Sequence, residues 1–166
     1  HYEALLRKAL DVAGYPQVPI ITNDDVDFHN VHPGFKMNVR SALKVAFALP
    51  MIDALEELLR KMRPYETEPG AAERAFDEAL DLLMEGLRGK SLRSLKRGFT
   101  QAIDVMKKVP YDRTHRKPQV LIVGEYLLNF HPGANHDIEL YLEHNGLEVI
   151  EARMTDVIRK TYFYQH

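Results

Sequence analysis

Cysteine is absent from all 166 residues. Disulfides, thiolate chemistry and any iron–sulfur cluster held by this segment alone are therefore excluded. An excess of one charge is missing too: 22 Lys and Arg stand against 24 Asp and Glu, a formal charge of −2. That balance makes no electrostatic case for nucleic acid or for an anionic membrane surface. No run approaches the roughly 18 apolar residues that a membrane span needs, and the amino end lacks a signal peptide's basic-then-apolar order. There is no Gly-rich phosphate loop, Walker motif, zinc spacing or Gly-x-Ser-x-Gly elbow, and no repeat or low-complexity tract. What remains is 45% apolar and 28% charged residues, the balance of a soluble globular chain long enough to bury a core in one domain. The cytoplasm is the expected compartment.

The stretch from Pro118 to Arg153 organises the reading. Val120-Leu121-Ile122-Val123, behind Gln119, is short, apolar and mostly β-branched, which predicts a strand buried on both faces, because a half-buried strand alternates. Gly124 breaks it, and Glu125 to Ala134 reads as a loop. Asn135 is then expected to cap a helix, with Asp137 favourable at its positive end and Ile138, Leu140, Tyr141 and Leu142 on its apolar face. Asn145-Gly146 stops that helix, and Leu147 to Ile150 returns as a second strand. A βαβ unit over 118–151 follows, with its ligand crevice beyond the carboxyl ends of the strands.

Ahead of it, Tyr2 to Ala13 has helical spacing, and Val18 to Thr22 reads as a strand that Pro19 places at its start. From Met37 to about Val109 the spacing is helical in three pieces, Met37–Met62, Ala71–Leu87 and Leu92–Val109. Pro50 is expected to kink or split the first. Lys90, Arg93, Lys96, Arg97, Lys107 and Lys108 make the third locally basic, which reads as a solvated face. Met154 to His166 is expected to hold a short helix capped at Thr155-Asp156. A start in mid-helix without Met and an end in aromatics suggest a piece of a longer chain. The predicted fold is a single α/β domain over 1–166, a three-layer Rossmann-like or flavodoxin-like parallel sheet. The helical segment 37–109 is inserted between strand 18–22 and the βαβ unit.

Candidate chemistry gathers at a few positions. Glu125, at the end of the central strand, can be a general base if burial raises its pKa, or can accept amides of its own loop. His131 can trade a proton or donate a hydrogen bond; Asn135 can cap and touch a ligand. Arg63, with Tyr65 and Glu66, can hold a carboxylate or phosphate, or form an internal Arg–Glu pair that fixes the turn. Asp24, Asp25, Asp27, His29 and His32 in the loop 23–35 carry cation-binding side chains, but the spacing is no calcium loop and a solvated loop is the simpler reading.

Gly124-Glu125, Phe130-His131-Pro132, Asn135 and Gly146-Leu147-Glu148-Val149 resemble the VGE…FHP-x-x-N…GxEV block of the acyl-CoA dehydratase activase-related proteins. These belong to the CoA-substrate-specific enzyme activase family and are relatives of the catalytic subunits of 2-hydroxyacyl-CoA dehydratases. Arg63-Pro64-Tyr65-Glu66, between Asp53 and Gly70, resembles a second block. His1-Tyr2-Glu3-Ala4-Leu5 through Gly14-Tyr15 and Val18-Pro19-Ile20-Ile21 resembles the segment after the family's Cys-containing motif. The resemblance implies a large anaerobic cytoplasmic protein with 4Fe–4S clusters on cysteines outside this chain, none being bound by this segment. It also implies an ATP-hydrolysing activator of the actin/hexokinase-like fold as partner, and an acyl-CoA as candidate substrate. Glu125 and His131 would be catalytic, and Asn135, Asn23, Tyr2 and Arg63 substrate-facing. Neither nucleic acid nor membrane is implied, and a homo-oligomer is compatible. The expectation is a domain of such a redox protein, inactive in isolation. The competing expectation is a non-catalytic ligand-binding or regulatory module for a small acid or CoA derivative.

Overall fold

The computed structural model describes residues 2–20 and 38–163, and the chain divides into two compact units, His1–Ser41 and Ala42–His166. In the first unit α1 (Tyr2–Val12) ends at Gly14, whose φ of +82° suits a residue without Cβ. The amide of Tyr15 reaches back to the Leu10 carbonyl at 2.8 Å, closing the helix end in the manner of a Schellman turn. Arg7 donates to the carbonyls of Pro16 and Val18, each at 2.9 Å. Those carbonyls are used locally, and residues 18–20 form no strand; the rest of the expected strand, and the whole loop 23–35, lie outside the described residues.

The core of the second unit is helical. Helix α2 (Val39–Met62) runs unbroken through Pro50, which is exposed. Before the proline Val39, Leu43 and Phe47 are exposed, whereas Ala48 is buried. Beyond it Leu55, Leu59 and Met62 are buried against α3 (Ala71–Arg88) and α4 (Leu92–Met106). The last two form an antiparallel hairpin whose contact stripe uses small residues: Ala72, Ala79 and Gly86 on α3, seven apart, face Gly98 and Ala102 on α4, with Leu83, Leu95 and Met106 filling between. At the closest approach a Cβ on Gly98 would sit 2.5 Å from the Leu82 carbonyl oxygen, and one on Gly86 would sit 2.8 Å from that of Ser94. Ser91 and Ser94 close the α4 end with a reciprocal capping box. Lys44 on α2 donates to the carbonyls of Leu87 and Gly89 at the α3 carboxyl end, where cations are favoured.

A short 3-10 turn, Arg63–Tyr65, leads away from α2. Beside it Glu66 bridges to Tyr111, and Asp112 donates its amide to the Tyr65 carbonyl at 2.9 Å. The chain then reaches β1 (Gln119–Leu121), α5 (Tyr126–Phe130), α6 (Pro132–Asn135), α7 (Ile138–His144), β2 (Glu148–Ile150) and α8 (Met154–Phe163). The two strands are parallel, with Val120 opposite Val149.

This corrects the expected fold. Among the described residues the only sheet has two strands of three residues, so the chain is mostly helical and not a three-layer Rossmann-like or flavodoxin-like domain. Two physical features account for the error. The run Val120 to Val123 is not buried on both faces, since Leu121 and Val123 are 58% and 74% exposed; short apolar runs do not reveal how many faces are covered. The helical residues 42–109, moreover, are the core itself and no insertion into a sheet.

The glycine crossing gives a direct test. Gly98→Ala should lower stability by about 2–3 kcal/mol, because a Cβ forced against helix backbone must part the two helices. The check is the urea midpoint, with Thr100→Ala, on the exposed side of the same helix, expected to stay within about 0.5 kcal/mol.

Candidate functional site

Beyond β1 the chain turns through two short capped helices. The Glu125 carboxylate accepts the amide of Leu127 at 2.8 Å and caps α5. His131 Nδ1 accepts the amide of Ala134 at 3.2 Å and caps α6. Both side chains are exposed. Accepting that bond requires His131 Nδ1 to be unprotonated, leaving Nε2 as the nitrogen open to other partners. Asn135 is the last residue of α6 and not the cap of the following helix. Its Nδ2 donates to the Leu128 carbonyl at 3.0 Å, while its Oδ1 is buried without a partner. The cap position of α7 falls to Asp137, which has φ +53° and makes no side-chain capping bond. Tyr2 begins α1 in the other unit, and Asn23 lies outside the described residues.

Arg63 is where charge concentrates. It grips Glu143 with two bonds, Nε at 2.6 Å and Nη2 at 3.0 Å, and also contacts Glu139 and, at 3.4 Å, Glu73. One turn earlier Arg60 contacts Glu56, Glu139 and Glu151. Five carboxylates thus surround two guanidiniums. Burial raises the Glu143 carboxyl above its ordinary range despite the Arg63 bonds, and it raises Glu56 despite Arg60. For Glu151 burial again outweighs Arg60, with Glu139 and Glu56 adding to the rise, and the carboxyl is pushed up to about 7. The expected Arg63–Glu66 pairing does not form. Glu66 instead accepts the amides of Gly70 and Ala72, at 2.6 and 2.8 Å, across the start of α3.

A second polar knot holds the sheet. Glu148 is 2% exposed and accepts from Tyr65 Oη at 2.7 Å, Arg113 Nη2 at 2.7 and 2.8 Å, and Gln119 Nε2 at 3.0 Å. The same Tyr65 oxygen accepts the amide of Lys117 at 2.8 Å. Burial pushes the Glu148 carboxyl up, but these hydrogen bonds together outweigh it and hold it below its ordinary value. Farther along, Asp53 of α2 accepts the amides of Met154 and Thr155, at 3.1 and 2.9 Å, and the Thr155 hydroxyl. Asp53, and not Thr155-Asp156, therefore closes the start of α8.

Two cavities flank the Arg60–Glu151 contact. One, about 440 Å³, has an apolar wall with Leu49, Ile52, Phe130 and Met154 and a polar side with Arg63, Glu139 and Asn135. The other, about 260 Å³, includes Gln119, Glu148 and Arg153. Of the expected site residues, then, Arg63 and Asn135 meet in one cavity, while Glu125 and His131 are capping residues on the neighbouring turns. Sequence reading passed over Arg60, Glu139, Glu143 and Glu151. The four-residue spacings Glu56–Arg60 and Glu139–Glu143 were the available signal, since such pairs share a helix face. Among the described residues no group of three His, Asp or Glu is arranged to hold a metal ion, and no helix is long and apolar enough to cross a membrane. No protein-family model, curated protein or solved structure matches the chain.

The lowered Glu148 carboxyl has a signed consequence. The folded state binds its proton more weakly than the unfolded chain, so its stabilisation is present above its ordinary range and is lost as pH falls through and below about 4.5. Glu148→Gln should therefore be less stable than the native chain at neutral pH and should lose less stability on acidification, read by circular dichroism melts across the acid range.

Proposed function

We propose that the chain is a domain of an iron–sulfur, ATP-activator-dependent redox protein of the kind its motifs resemble, the 2-hydroxyacyl-CoA dehydratase and activase components. In this reading it is cytoplasmic and supplies a wall of the reaction chamber, and the 4Fe–4S cluster is held by cysteines of another segment. The observation behind the proposal is that the resembling blocks are joined to one another. Tyr65 of the Arg63–Glu66 block bonds Glu148 of the Gly146–Val149 block, and the Glu125–Asn135 block winds over the carboxyl end of β1, where parallel strands present ligands. An ATP-hydrolysing activator of actin/hexokinase-like fold would deliver electrons to the cluster, and an acyl-CoA would be the substrate. Glu125 and His131 would face it. The whole gene product that contains this chain, purified without oxygen, is expected to be brown and to hold iron, whereas residues 1–166 alone stay colourless. An iron-free whole product would overturn the proposal.

One observation favours a second reading, a non-catalytic module that binds a CoA derivative or small acid. The larger cavity pairs an apolar wall with the unmatched Asn135 Oδ1, an acceptor that gains from a ligand's donor. Because Arg60 and Arg63 already hold carboxylates, a neutral acyl or amide portion fits there better than a free acid. A saturable rise in melting temperature with a short-chain acyl-CoA, lost in Asn135→Leu, is the expected result. A flat response across acyl-CoA thioesters and small carboxylic acids would remove the reading.

A further inference from the structure

Glu151 occupies an unusual place in the second unit. Its side chain is 5% exposed, and with Asp53, Glu56 and Arg60 it forms the wall common to both cavities. Immediately after it, the chain is fastened to α2 by polar contacts: Arg153 to Glu57, and the amides of Met154 and Thr155 to Asp53. The segment 151–155 thus lies across the α2 face as a strap, with Glu151 at its first point of attachment.

The charges around that point do not balance. From α2, Glu151 meets Asp53, Glu56 and Arg60, with Glu57 and Lys61 farther along the same wall; from α7 it meets Glu139; Glu148 of β2 and Arg153 flank it. Arg60 is the cation in direct contact, and it is shared with Glu56 and Glu139. Arg153 is turned to Glu57, and Lys61 to the same carboxylate. An ionised Glu151 therefore adds an incompletely compensated charge on a side chain largely withdrawn from solvent, whereas a protonated one does not.

We propose that the segment 151–155 is a proton-operated strap, closed over the wall between the two cavities while Glu151 carries a proton and released into solvent when Glu151 ionises. Burial, with the nearby carboxylates, brings the titration of the closed form to about 7, against an ordinary value of 4.5. A released Glu151 returns toward that ordinary value, so the closed form binds the proton more tightly and is favoured as pH falls through neutrality. Above neutrality release removes one side of the dividing wall, and the two cavities become one cleft along α2. Local opening of this kind needs no unfolding of the helical core, whose packing lies elsewhere.

The amide of Thr155, bonded to Asp53 when the strap is closed, reports the state by hydrogen exchange, once the intrinsic base-catalysed rate is divided out. Its protection is expected to fall by about thirtyfold between about pH 5.5 and 8.5. In Glu151→Gln, which keeps the neutral shape, protection should stay at the acid value throughout. Glu139→Gln, which removes a neighbouring negative charge, should move the midpoint to lower pH while retaining the dependence. Protection in the native chain that does not change with pH would overturn the proposal, as would the same pH dependence in Glu151→Gln. Should Glu151→Gln fail to fold, carbon NMR titration of the Glu151 carboxyl in the native chain decides: a midpoint near 7 supports the strap, and one near 4.5 overturns it.

Discussion

The second unit depends on one constraint: a carboxylate taken out of water must be met by donors. Glu148 is the clearest case. It sits on a strand of three residues, in a sheet of two strands, and such a sheet has little stability of its own. Its attachment to the rest of the unit runs through the Glu148 carboxylate, which gathers Tyr65, Arg113 and Gln119, and through the Arg63–Glu143 grip on α7. Remove either partner and a buried charge is stranded, which costs more than the pair contributes when intact. The sheet is thus tied to the helices by specific polar contacts.

The helical core obeys the opposite rule. The second half of α2 packs on the α3/α4 hairpin through apolar side chains, and within the hairpin Gly86 and Gly98 let backbone approach backbone. Packing this tight resists change in volume at any one position. The unit therefore joins a helical part specified by shape to a strand-bearing part specified by charge. Four carboxyls whose titration departs from the ordinary value, Glu56, Glu143, Glu148 and Glu151, lie where the second part meets α2 and the turn that follows it.

Much of this was legible in the sequence, and the failures have physical reasons. The three helices of 42–109 follow from their spacing, and the parallel pairing of the two strands follows from a strand–helix–strand order with a Gly146 stop. The number of sheet strands was not legible, because Val120 to Val123 reads alike whether its faces are covered or open. Of the two outcomes expected of Pro50, a kink or a split, the split does not occur, since α2 is one helix across it. Asn135 has the chemistry of a helix cap, but the chain reverses through His136 and Asp137, both at positive φ, so the helix begins later. The Arg63–Glu66 pairing failed because Glu66 had better partners, two amides at the start of α3 that no side chain of their own satisfied. Charge pairs between distant elements, such as Arg60 with Glu151, leave no local pattern at all.

The residues that looked most chemical carry a further lesson. Glu125, His131 and Glu66 each spend acceptor atoms on the first turn of a helix, and Asp53 does so for α8. Carboxylates and imidazoles suit both a cap and a catalytic task for the same reason, an accessible lone pair held in a fixed direction. A capping bond does not use up that capacity. A carboxylate has lone pairs for several donors, and a histidine fixed through Nδ1 presents Nε2 with a defined orientation, as second partners do for metal-bound or catalytic imidazoles. Motif spacing that resembles an active site can therefore be required by the turn alone. What separates the two roles is whether a substrate reaches these side chains, and that depends on what covers the carboxyl end of β1.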